Sequence, residues 1–143
     1  MRRRNFLGLI AAALAPGFAA AQTKKAAKIG FVTWGSPAVS MRLDDLRQGL
    51  REYGYVEGAN LELDYFFTDG DAKRTRDAIE KLIAKPVDVL VVWQTPAAHI
   101  AKDATKTIPI VIMVADALAT GLVSSLSRPD GNLTGVSNTG PEL

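Results

Sequence analysis

The chain has 143 residues, 17 basic and 15 acidic side chains, and no cysteine. That length buries one modest core, and the missing cysteine excludes disulfides, thiol chemistry and attachment of a lipid through a cysteine. The nearly balanced charge excludes the basic footprint of a nucleic-acid binder or of a patch drawn to anionic membranes.

Arg2, Arg3 and Arg4 precede an apolar run from Phe6 to Ala15 and then Ala19-Ala20-Ala21. This is the pattern of an export signal over residues 1–21, cleaved between Ala21 and Gln22. Its apolar run is too short to cross roughly 30 Å of hydrocarbon, so no stable membrane anchor is expected after cleavage. Arg3-Arg4-Asn5-Phe6-Leu7 resembles the twin-arginine address, and simple Sec export stands beside it. Loss of the three leader arginines leaves 14 basic against 15 acidic residues, a net charge of −1. The expected location is the periplasm.

Residues 22–27 form a short linker rich in Lys and Ala, and residues 28–143 alternate strand and helix signals. Lys28 to Thr33 is the first strand. A helix follows with Val39, Leu43, Leu46, Leu50 and Tyr53 spaced for one face, ended by Gly54. Leu61 to Phe67 is the second strand. Asp71 caps a helix that buries Thr75, Ile79, Leu82 and Ile83 and stops at Pro86. Val87 to Val92 is the third strand, and Thr95-Pro96 opens a helix with Ile100, Ala101 and Ala104 inward. Ile108 to Val114 is the fourth strand. A helix is expected around Ala117 to Leu126, then the turn Pro129-Asp130-Gly131-Asn132 and a fifth strand, Leu133 to Val136.

Strands three and four are continuously apolar and rich in β-branched residues, as befits central strands of a parallel sheet covered on both faces. Five strands joined by helices predict a doubly wound α/β sheet of Rossmann or flavodoxin-like type. With strand order 2-1-3-4-5, the switch point lies between the carboxyl ends of strands one and three, where ligands bind in such sheets. The loops there are Thr33-Trp34-Gly35-Ser36 and Trp93-Gln94-Thr95. Both tryptophans of the chain therefore flank the predicted crevice, either holding an apolar or aromatic ligand against their indoles or plugging the sheet under a loop.

Catalytic patterns are absent from the sequence. His99 has no cysteine or second histidine to join it in a conventional zinc site or a thiol dyad. No nucleophile elbow, phosphate loop or Gly-x-Gly-x-x-Gly follows a strand. Asp69-Gly70-Asp71 lacks the later ligands of a calcium loop. No enzyme activity, metal or cofactor is expected.

Several long segments resemble one family in the same order: Lys28-Ile29-Gly30-Phe31, Gly49 to Asn60, Thr95-Pro96-Ala97-Ala98, Ile108 to Val111 and Gly121 to Val136. Together with the leader, they make the chain similar to the solute-binding proteins of ABC transporters, in the group that includes tryptophan and tyrosine binders. The resemblance implies the first of two Rossmann-like lobes, which close around a small solute, such as an aromatic or other amino acid, and deliver it to a membrane permease with a separate ATPase. Relatives continue into a second lobe beyond the strand at Leu133 to Val136, so residues 28–143 are expected to be an N-terminal lobe of a truncated chain. The other reading is an exported module that reports ligand state to a membrane receptor.

Carried over to this chain, the family's contacts fall on Trp34 and Ser36, on Trp93, Gln94, Thr95 and Ala97, and on Asp116. Thr95 and the amides near Ala97 suit a carboxylate at the positive helix end, and Asp116 suits an amino group. Simple helix capping by Thr95 and by Asp116 is the competing role for each. Relatives carry small residues where Trp34 and Trp93 stand, and a proline where this chain has Ala117.

Overall fold

The computed structural model describes residues 25–39, 41–85 and 87–138. The segments expected as export signal and as the first part of the linker, Pro86 as the expected helix stop and the terminal Pro141-Glu142-Leu143 lie outside the described residues.

Five strands form one parallel sheet: β1 (Ala27–Thr33), β2 (Leu61–Phe67), β3 (Val89–Trp93), β4 (Ile110–Val114) and β5 (Leu133–Ser137). Their order is β2-β1-β3-β4-β5, the doubly wound order expected, with β1 and β3 adjacent at the switch point. Among the described residues three α-helices connect the first four, α1 (Met41–Glu52), α2 (Ala72–Ala84) and α3 (Thr95–Ala104), and a loop joins β4 to β5. A single 3-10 turn, Pro37–Val39, leads into α1.

Alternation along the strands sends side chains to two unequal layers. Val32, Leu90, Val92, Ile110, Ile112 and Val114 pack with Ile79 and Leu82 of α2 and with Ala97, Ala98 and Ala101 of α3. Their neighbours Phe31, Leu63 and Val91 pack on Leu43 of α1 on the opposite face. The α2–α3 face is the thicker one; on the α1 face, Val111 and Met113 of β4 are only half-buried and Val136 of β5 is exposed. Asp71 caps α2 as expected, its carboxylate accepting from the Arg74 N–H at 2.8 Å. Tyr53 and Ala104, expected on inner faces, are exposed: Tyr53 falls just beyond the end of α1, and Ala104 is the last residue of α3.

The helix expected at Ala117 to Leu126 does not form. The segment makes one turn: the N–H groups of Leu122 and Val123 both return to the carbonyl of Ala117, at 3.0 and 3.2 Å. Gly121, at φ +71°, takes the left-handed conformation that ends a turn of this kind. Leu122 and Val123 are buried there, so the apolar spacing that mimics a helix instead folds a loop under the sheet. The expected bounds of β3 and β4 also contract at their amino ends, to Val89 and Ile110.

Candidate functional site

Register brings one row of side chains across the carboxyl ends of the strands. Thr33 of β1 lies between Phe67 of β2 and Trp93 of β3, Trp93 lies beside Met113 of β4, and Met113 beside Val136 of β5. Laterally paired residues share a face, and Trp93 belongs to the α1 layer, so the row faces α1. Beside it opens a cleft of about 550 Å³, lined by Arg42, Trp93, Gln94, Thr95, Met113 and Val136, with Asn138 on its rim. A mostly apolar wall with a few polar groups is the usual make-up of a small-molecule site. Arg42, in the first turn of α1, holds its guanidinium carbon 4.8 Å from the centroid of the Trp93 ring.

Gln94 turns the chain from β3 into α3 and has φ 75° and ψ 145°. A non-glycine residue at such angles stores roughly 1–3 kcal/mol, which neighbouring structure must hold in place. Here the Gln94 N–H donates to the carbonyl of Met113 at 3.0 Å, and its side-chain oxygen accepts from the Thr33 hydroxyl at 3.4 Å. The Thr33 hydroxyl in turn accepts from the Gly35 N–H at 3.2 Å, so the loops after β1 and β3 share one polar link.

Gln94, not Thr95, is the N-cap of α3, and no side chain caps the helix. The expected capping role of Thr95 is thereby corrected: with Gln94 already turned out of the strand, Thr95 falls inside the helix as its first residue. Pro96 follows it, as expected, with no N–H to lose. The Ala98 N–H is taken by the Gln94 carbonyl at 3.1 Å, while those of Thr95 and Ala97 have no acceptor within the helix.

The structure brings Trp93, Gln94 and Thr95 together in the cleft. It keeps the other residues named from sequence out of its lining. Trp34 packs against the α2–α3 layer, near Gly70. Ser36 is half-buried in the loop after β1. The Ala97 side chain is fully buried, so only its backbone can serve a ligand. Asp116 receives the N–H groups of Leu118 and Ala119 on one carboxylate oxygen, at 3.1 and 2.8 Å, the geometry of a local cap. Within this lobe the two indoles pack on opposite faces of the sheet, and of the two Trp93 lines the cleft.

Sequence reasoning missed Arg42, Met113, Val136 and Asn138. Met113 and Val136 were available from strand alignment, since each pairs laterally in the row that starts at Trp93. Arg42 carried a fainter signal: a cation in the first turn of a helix opposes the macrodipole, so helix stability does not explain it.

Residues 30–141 match the family described as ABC transporter substrate binding protein, and the chain belongs to that family. It is a family of solute binders, not of enzymes. The chain is 35% identical over 101 residues to a tyrosine-binding protein of Clostridioides difficile strain R20291, covering 67% of this chain and 29% of that one. Among solved structures, a conserved domain protein from Vibrio cholerae superposes with a TM-score of 0.77 at 37% identity, covering 82% of this chain and 40% of that chain. A domain from Streptococcus pneumonia in complex with L-Trp superposes at 0.73 with 32% identity, covering 79% and 39%. A ligand-free, open substrate binding protein with adhesive properties from Clostridium difficile does so at 0.72 with 32% identity, covering 78% and 38%. The chain thus spans two fifths or less of the length of these relatives.

Among the described residues, no helix is long and apolar enough to cross a membrane, and no cluster of His, Asp or Glu is arranged to hold a metal.

Proposed function

We propose that this chain supplies one wall of a two-lobe receptor that captures a small amino acid, aromatic by preference, in the periplasm and hands it to the permease of an ABC importer driven by a separate ATPase. Residues 1–21 serve as the export signal in this reading, residues 22–27 as a linker and residues 28–143 as the N-terminal lobe. The observation that carries the reading is the apolar row Trp93–Met113–Val136, set in register across the carboxyl ends of β3, β4 and β5, beside the switch point of a family-typical lobe. A flat apolar wall beside Gln94 and Thr95 suits a ring stacked on Trp93, with its polar end toward the free N–H groups of Thr95 and Ala97. Trp34, Ser36 and Asp116 serve at most as rim contacts at the same end of the sheet. Relatives named for tyrosine and tryptophan support an aromatic amino acid.

Calorimetric titration of the full exported chain with L-tryptophan, L-tyrosine, L-leucine, L-lysine and a hexose tests the ligand. Binding confined to the aromatic amino acids is expected; binding of the hexose alone overturns the reading. Uptake of labelled L-tyrosine or L-tryptophan by cells lacking the gene tests the transport role, and unchanged uptake of every amino acid that the protein binds removes it.

A further inference from the structure

We propose that Arg42 is the charge anchor of the cleft and that it selects ligands bearing a carboxylate; this rests on the solute-binding reading above and narrows its ligand class. Arg42 is the one charged side chain among the residues lining the cleft. Among the described residues no carboxylate lies within ion-pair distance of it: Asp44 and Glu57 pair with Arg47 at 3.1 and 3.0 Å, and Asp45, one turn on, lines the neighbouring hollow under α1 with Arg42 but not the cleft itself. Of the acidic groups at this end of the sheet, Asp69 pairs with Arg74, Asp71 caps α2, and Asp116 has an oxygen committed to the backbone; none of them lines the cleft. The wall therefore carries one cation and no anion, and its field favours a negative ligand group over a positive one.

The position suits the task. Arginine over an indole is held by the ring face while its N–H groups remain able to meet a carboxylate in a two-pronged contact. Trp93, under the guanidinium at 4.8 Å, also begins the apolar row on which the body of a ligand would lie. One residue pair thus combines charge recognition with apolar contact. The cation has no evident structural purpose in its helix, where the macrodipole opposes it.

The test compares each acid with its amide, which removes the negative charge and keeps the shape: L-tryptophan against L-tryptophanamide and L-leucine against L-leucinamide. Dissociation constants are measured by calorimetry on the full exported chain and on its Arg42→Gln and Arg42→Lys variants, with thermal melting as a control for folding. The intact protein is expected to prefer the acids by about ten- to a hundredfold, the range for a charge-assisted contact. Arg42→Gln should bring the ratio of acid to amide close to one, and Arg42→Lys should keep part of it.

A purely structural Arg42, packing on Trp93, would weaken acid and amide alike and leave the ratio unchanged. That result overturns the proposal, as does equal binding of acid and amide by the intact protein. An acid preference in the leucine pair with no binding of the tryptophan pair upholds the carboxylate anchor and overturns the aromatic preference instead. Failure of every acid to bind overturns both.

Discussion

Trp34 and Trp93 follow two adjacent strands, and the Trp34 N–H donates to the Trp93 carbonyl at 3.5 Å, yet their indoles lie on opposite faces of the sheet. Trp34 shares its face with Val32 and Phe66, and Trp93 shares its own with Phe31, Leu43 and Val91. The cause is register: Thr33 pairs with Trp93, so Trp34, one residue further, points the other way.

The two indoles should therefore report differently on binding. With excitation selective for tryptophan and L-tyrosine as titrant, the emission change is expected to survive Trp34→Phe and to vanish in Trp93→Phe. A change that follows Trp34 instead would place the ligand on the α2–α3 face.

Gln94 supplies a second expectation, because its φ of 75° suits glycine and opposes branched side chains. Gln94→Gly should leave stability unchanged or raise it by up to about 2 kcal/mol, strain relief exceeding the extra freedom of the unfolded chain. Gln94→Val should cost roughly 2 kcal/mol at the same angles. Both variants should bind ligand more weakly, since the link to Thr33 is lost. Denaturant melts of the three proteins check the order, and a Gln94→Gly protein clearly less stable than its parent would show that the backbone is not strained.

Gly135 of β5 pairs with Ile112 at φ 148°, and an added Cβ would sit 2.0 Å from the Ile112 carbonyl oxygen. Neither partner is a flexible side chain, so the strands must part. Gly135→Ala is expected to destabilise the lobe by about 2 kcal/mol or more, measured by denaturant melting. It should also loosen Val136 and Asn138 in the cleft, seen as faster amide exchange at Asn138, which donates to the Val114 carbonyl at 2.9 Å.

Asp130 closes the loop from Ser124, whose hydroxyl and N–H donate to its two carboxylate oxygens at 2.7 and 2.8 Å. These bonds, the hydroxyl's first, hold the carboxyl below its ordinary value of 3.8. A depressed carboxyl stabilises the fold fully above its unfolded value, and the contribution is lost as pH falls through the folded one. The Ser124 amide resonance should therefore shift on acidification with a midpoint below 3.8, and Asp130→Asn should abolish that transition. A midpoint at or above the ordinary value would contradict the bonding.

The sheet was legible because its central strands are unbroken apolar runs, which force burial on both faces and leave few other orders for short right-handed connections. Asp71 was legible because a capping carboxylate acts within its own turn. The segment after β4 was not: Ala117, Leu122 and Val123 have spacing that serves a helix or a tucked loop, and the local bonds of Asp116 with the handedness of Gly121 decide between them. At the site, position along a strand was readable but the face was not, since parity depends on a register that one strand alone does not contain. Arg42 was hidden for a related reason: which strand end its helix overhangs is set by tertiary packing.

The strand ladder continues into the loops at the carboxyl end of the sheet, those that flank the cleft and the one that lines it. Beyond the strand ends, the Thr68 and Gly70 N–H groups donate to the carbonyls of Thr33 and Trp34 at 3.1 and 2.7 Å, and the Gln94 N–H to that of Met113. These loops are braced to one another like boards nailed past the joist. Much of the entropy of ordering this end of the sheet, and at the cleft that of the Gln94 turn, is therefore lost during folding and not on ligand arrival, which leaves affinity to be tuned by contact chemistry and encounter to proceed without waiting for that turn to settle.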